Sequence, residues 1–140
     1  MRGRSPQVRI DADLGQLRVA RIVGAFGASR ILNEKAARSQ FMGGMIWGIS
    51  FALYEHGVYD ERLGRIVNNN LAEYHVPTNA DAGTIETLWV NEVDDHASPI
   101  GAKGIGEIGI TGAAAAIANA VYHATGKRVR DLPITLEKRL

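Results

Sequence analysis

The chain has 140 residues, enough for one ordinary domain, or a piece of a larger one, with a real hydrophobic core. A formal net charge of +1 gives no electrostatic reason to expect nucleic acid or an acidic membrane surface as partner. Cysteine is absent, which excludes disulfides, thiolate metal sites and a cysteine nucleophile within these residues. The basic start Met1-Arg2-Gly3-Arg4-Ser5-Pro6 has no apolar run behind it and does not read as a signal peptide. The most apolar stretch, residues 41–54, is shorter than the roughly 18 residues a membrane span needs.

Taken in order, Val8-Arg9-Ile10 and Leu17-Arg18-Val19-Ala20-Arg21-Ile22-Val23 flank Asp11-Ala12-Asp13-Leu14-Gly15, which is turn chemistry between two hairpin strands. Arg9, Arg18 and Arg21 then fall on solvated faces. Asn33 can cap a helix running through Ala36, Phe41, Ile46 and Phe51 to about Glu55, with Gly57 as its stop. A second hairpin is expected around Asp60-Glu61-Arg62-Leu63-Gly64. Residues 68–81, rich in asparagine and holding Pro77, read as irregular. Residues 84–90 mix β-branched side chains with Leu88 and Trp89 and predict a strand. A second helix is expected over about residues 108–125, ended by Gly126, with Lys127 and Arg128 complementing its negative end. The sum is an α+β fold, with two main helices packed on mostly antiparallel strands. A strand that starts almost at once suggests a fragment of a longer chain.

Three glycines, Gly43, Gly44 and Gly48, sit inside the first helix, where each costs roughly 1 kcal/mol relative to alanine. They make a smooth strip, with Gln40 and Trp47 near the same face, that suits close packing or a ligand. The Gln40 amide both donates and accepts, as a heterocyclic ring edge requires. The histidines, His56, His75, His96 and His123, lack metal-ligand spacing and read as loop or surface residues. Asp94 and Asp95 beside His96 read as a solvated polar loop.

The run Lys103-Gly104-Ile105-Gly106-Glu107-Ile108-Gly109 places one carboxylate among glycines, ahead of a helical segment. Such an arrangement suits a general base held against a bulky cofactor. It equally suits a glutamate in the first turn of a helix, where the dipole favours the ionised form. The same residues satisfy G-x-G-x-x-G, the dinucleotide fingerprint, which needs a buried strand directly in front. What precedes is Val93-Asp94-Asp95-His96-Ala97-Ser98-Pro99, polar and broken by proline. A dinucleotide-binding module and a non-enzymatic assembly domain, its glycine helix used for packing alone, are the alternatives.

The block from Gly101 through Ala120 resembles the C-terminal end of the molybdenum-binding large subunit of the xanthine dehydrogenase and aldehyde oxidase family. Val23-Gly24-Ala25-Phe26-Gly27, Ala37-Arg38-Ser39-Gln40-Phe41-Met42-Gly43-Gly44, Asn70-Leu71-Ala72-Glu73-Tyr74-His75-Val76-Pro77 and the ending from Thr125 to Thr135 match as well. The likeness is greatest to bacterial periplasmic aldehyde oxidoreductases and covers nearly the whole chain. It implies that residues 1–140 form the C-terminal portion of an incomplete molybdopterin-binding catalytic domain. It further implies a molybdenum cofactor of the molybdopterin type, as such or as the cytosine dinucleotide, with no protein side chain on the metal. Glu107 matches the family's general base, Gln40 its pterin-binding glutamine, and Lys103 a lysine beside the pterin, with Gly104 and Gly106 at the cofactor. The implied substrate is a small aldehyde or N-heterocycle. Iron–sulfur clusters and FAD are implied on partner subunits or domains. The chain carries no indication of its compartment.

Overall fold

Two long strands form where the sequence predicts the first hairpin, and both run further than their apolar pattern suggests. In the computed structural model, which describes residues 2–138, β1 (Arg2–Asp11) pairs antiparallel with β2 (Gln16–Gly27). The turn is built by Asp11, whose Oδ1 accepts from the backbone N–H of Asp13 at 3.0 Å and of Leu14 at 2.9 Å. Gly15 then takes φ 61°, the left-handed region open to glycine. The same chemistry recurs at β3 (Tyr59–Asp60) and β4 (Arg65–Ile66), where Asp60 caps Arg62 and Leu63 and Gly64 sits at φ 63°.

Along β2 the buried positions are Leu17 and Val19, then Ile22, Gly24 and Phe26. That switch of parity coincides with a register shift opposite Gln7 and Val8. A bulge adds one residue to a strand and turns the following side chains to the other face. It explains why strict alternation fails here while both halves of the strand still feed one core. Arg9, Arg18 and Arg21 lie exposed, as their pattern predicts.

Helix α1 (Glu34–Leu53) is capped by Asn33, whose Oδ1 accepts from the N–H of Ala36 at 3.0 Å. It ends earlier than Gly57, because Tyr54 leaves helical geometry. Ala37, Phe41, Met45, Ile49 and Ala52, spaced by three or four, face the core. Strand β5 (Thr84–Val90) spans the residues expected of it and pairs with β2 in parallel, giving the sheet order β1-β2-β5. Two of the three strand pairings are antiparallel, so the fold is α+β with a mixed sheet. Residues 68–81 hold neither helix nor strand.

Helix α2 (Ala113–Thr125) packs on β1 and on α1. Its start departs from the sequence reading of a helix from about Ile108. Gly112 occupies φ 79°, and Ile108 to Gly112 form turns ahead of the helix. Its end agrees: Gly126 at φ 74° donates its N–H to the Tyr122 carbonyl at 2.7 Å. Arg128 does not serve that end through the dipole alone. It stacks 3.7 Å over the Tyr122 ring and donates to Asn119 Oδ1 at 2.5 Å.

The glycine strip on α1 divides by use. A Cβ on Gly44 would stand 2.6 Å from the Gly109 Cα, and one on Gly48 would stand 2.3 Å from the Ala113 Cβ. Those two glycines therefore exist for close packing against the segment that leads into α2. Gly43 has nothing within 4 Å of its Cβ position. Gly43→Ala is thus expected to raise the stability of the chain by up to about 1 kcal/mol through helix propensity. Gly44→Ala forces backbone against backbone and should lower stability by roughly 1–3 kcal/mol. Urea denaturation of the two variants checks the opposite signs. Among the described residues, no helix is long and apolar enough to cross a membrane.

Candidate functional site

The run from Lys103 to Gly109 is anchored from several directions. At its far end Gly109 lies against the backbone of α1, and a Cβ there would meet the carbonyl oxygens of Phe41 at 2.9 Å and Gln40 at 3.3 Å. Arg4 on β1 donates Nη2 to the carbonyls of Ile108 at 2.6 Å and Gly109 at 2.9 Å. At its near end Ser29, just beyond β2, forms an antiparallel bridge with Ala102. Lys103 itself is held by two acids, Asp94 at 3.0 Å and Glu92 at 3.3 Å. The hydrogen bonds that Lys103 donates to Asp94, then Glu92, hold its ammonium pKa above the ordinary value, and the same bond holds Asp94 below the usual carboxylate range.

Gln40 and Lys103 line one cavity of about 310 Å³, with Arg30, Asn33, Ala36 and Ile105 among its other walls. A volume of that size sits at the lower end of small-molecule sites. Gly104 and Gly106 have nothing within 4 Å of their Cβ positions and no left-handed φ. Neither their conformation nor the packing of this chain demands glycine there. Glu107 is exposed and does not line the Gln40 cavity. The segments that carry Gln40 and Glu107 touch through Gly109, which lies against the carbonyls of Phe41 and Gln40.

Glu107 lies well ahead of α2, beyond the reach of its dipole. The dipole acts within the first turn, and α2 begins only at Ala113. Glu107 is not a first-turn residue, so neither dipole stabilisation nor the simple helix-start role applies to it. The dinucleotide geometry is missing too, since β5 ends at Val90 and loop and turn residues, not a strand, lead into Gly104.

Asp94 is more than the solvated loop residue its sequence suggests, because it pairs with Lys103 and its N–H donates to Ser29 Oγ at 3.2 Å. All four histidines are exposed, and no cluster of metal-ligating side chains occurs among the described residues. Sequence reasoning overlooks Ser29, Arg4, Arg30 and Glu92. Arg4 left one signal: it shares strand parity with Pro6, Val8 and Ile10, on the face turned toward the core. Ser29 left none, because a φ of 58° is not readable from a serine.

An amide that donates and accepts, a cation from Arg30, and open backbone at Gly104 and Gly106 suit a large heterocyclic ligand bearing phosphate. A pterin with its phosphate fits that donor set. The chain belongs to the molybdopterin cofactor-binding domain family, whose model matches residues 5–83. It is 48% identical over 138 residues to the aldehyde oxidoreductase molybdenum-binding subunit PaoC of Escherichia coli K12, covering 99% of this chain and 19% of that subunit. It is 39% identical to the putative xanthine dehydrogenase molybdenum-binding subunit XdhA of the same organism, covering 94% of this chain and 17% of that one. The aldehyde oxidoreductase from Desulfovibrio desulfuricans ATCC 27774 matches in fold with a TM-score of 0.84 at 30% identity, over 95% of this chain and 14% of that one. The chain spans about a fifth or less of the length of these relatives.

Proposed function

We propose that this chain supplies the proton-accepting and part of the pterin-holding surface of a molybdenum hydroxylase catalytic subunit that oxidises aldehydes to carboxylic acids. The observation that carries this is the anchored glycine run, with Glu107 exposed on it and with Gln40 and Lys103 lining one cavity beside it. The greater similarity to an aldehyde oxidoreductase subunit than to a xanthine dehydrogenase subunit favours aldehydes over N-heterocycles. Packing accounts for Gly44 and Gly48 but leaves Gly104 and Gly106 without a purpose, which weighs against a purely structural domain.

On this proposal Gln40 donates to and accepts from the pterin edge, Arg30 balances phosphate charge, and Lys103, held by Asp94 and Glu92, forms part of the wall beside the cofactor. Gly104 and Gly106 let the ligand approach the main chain. The cofactor, as molybdopterin or its cytosine dinucleotide form, supplies when bound a two-electron acceptor and a metal that acidifies water. An aldehyde and one water become a carboxylic acid, two protons and two electrons. Glu107 takes one of those protons at a carboxylate oxygen, as general base. Iron–sulfur and FAD groups on partner subunits or domains would accept the electrons.

The complete gene product, made in a host that synthesises the cofactor, is expected to carry molybdenum and to oxidise benzaldehyde with ferricyanide as acceptor. Absence of both metal and oxidation would reject the proposal. Gln40→Ala should weaken cofactor retention by about three- to tenfold, the scale of a lost hydrogen bond. Turnover per remaining molybdenum should stay near wild type, with metal counted by mass spectrometry.

A further inference from the structure

Ser29 is 2% exposed and holds φ 58°, a conformation that non-glycine residues adopt at a cost. Glycine would adopt it freely, so a serine there implies that the side chain is in use. Its Oγ donates to the Gly101 carbonyl at 2.7 Å and accepts from the Asp94 N–H at 3.2 Å. One hydroxyl thus ties both ends of the loop from Asp94 to Gly101 to the end of β2. The neighbouring Arg30 N–H adds a second bond to the Gly101 carbonyl at 3.0 Å. Arg4 does the matching work beyond Glu107, on the carbonyls of Ile108 and Gly109, with its guanidinium 5.1 Å over the Phe26 ring.

We infer that Ser29 and Arg4 are positioning residues, which fix the Glu107-bearing run at its two ends and so set where the carboxylate stands. Their value to the reaction rests on the function proposed above. Their clamping does not, because it is a property of this chain's own contacts. Each acts through the backbone that carries Glu107. A general base must be held within hydrogen-bond reach of its proton, and small misplacements of a positioned group are costly in rate.

The test is amide hydrogen exchange, read by mass spectrometry on peptides spanning residues 94–110. It is made in the complete gene product and its Ser29→Gly, Ser29→Ala and Arg4→Gln variants. Ser29→Gly relieves the backbone strain, so it is the variant least prone to misfold. Both Ser29 variants lose the hydroxyl, and both should speed exchange over residues 94–106 by about three- to tenfold, the scale of one lost hydrogen bond. Arg4→Gln should do the same over residues 107–110. All three should lower kcat per bound molybdenum by about tenfold or more, with KM and molybdenum content near wild type. Unchanged exchange in the Ser29 variants overturns the clamp. So do opposite responses of Ser29→Gly and Ser29→Ala, which would make strain the determinant rather than the hydroxyl. Faster exchange with kcat per molybdenum within twofold of wild type overturns the positioning role. A wild-type protein without molybdenum defeats the proposed function, while exchange still decides the clamp.

Discussion

Glu107→Gln is expected to lower turnover per bound molybdenum by about 10²–10⁴-fold, the usual cost of losing a general base. The substitution keeps the length and hydrogen-bonding reach of the side chain and removes its capacity to accept a proton. Molybdenum and pterin content should stay at the wild-type level, because Glu107 does not line the cavity that Gln40 and Lys103 share. Gln40→Ala should show the opposite pattern, with lost cofactor and preserved chemistry per metal. The pair therefore separates holding from proton transfer in one experiment. If Glu107→Gln retains more than about a tenth of the wild-type turnover, Glu107 is not the base, and the glycine run is structural.

Phe41→Ala should produce the largest loss of stability, about 3–5 kcal/mol. Phe41 is fully buried, and its ring stacks on Phe26 with centroids 4.2 Å apart and planes 5° from parallel. Trp89 flanks it with a centroid separation of 6.4 Å. Deleting the ring opens a cavity where α1 meets β2 and β5, the junction that carries Gln40. A domain of this size is typically stable by only about 5–15 kcal/mol, so the variant should unfold at a much lower urea concentration. Fluorescence of the adjacent Trp89 reports the transition. A loss below about 1 kcal/mol would mean that the site collapses freely around the deletion, contrary to the tight packing of this core.

Much of this fold is legible because its signals are local. The two Asp-to-Gly turns, the Asn33 cap, the Gly126 stop and the whole of β5 follow from chemistry within a few residues of each feature. What is not legible depends on distant partners. The parallel pairing of β2 with β5 spans the whole of α1 and the short hairpin, and no local pattern selects it. The late start of α2 follows from Gly109 lying against Gly44 and Gly112 turning left-handed, which a helix-favouring composition from Thr111 onward conceals. At the site, residue types mark Glu107, Gln40 and Lys103. The groups that hold them, Ser29, Arg4 and Asp94, come from other elements and become visible only once the chain is folded.

On the proposed function, Gln40 and Glu107 meet two ends of one cofactor, the pterin and the metal. Anomalous X-ray scattering at the molybdenum edge, from crystals of the cofactor-loaded complete gene product, tests it most directly. The expected result is a single molybdenum peak beside the Glu107 carboxylate, with pterin density running from it to the Gln40 amide. A molybdenum peak remote from Glu107, or pterin density that does not reach the cavity lined by Gln40 and Lys103, would contradict the account.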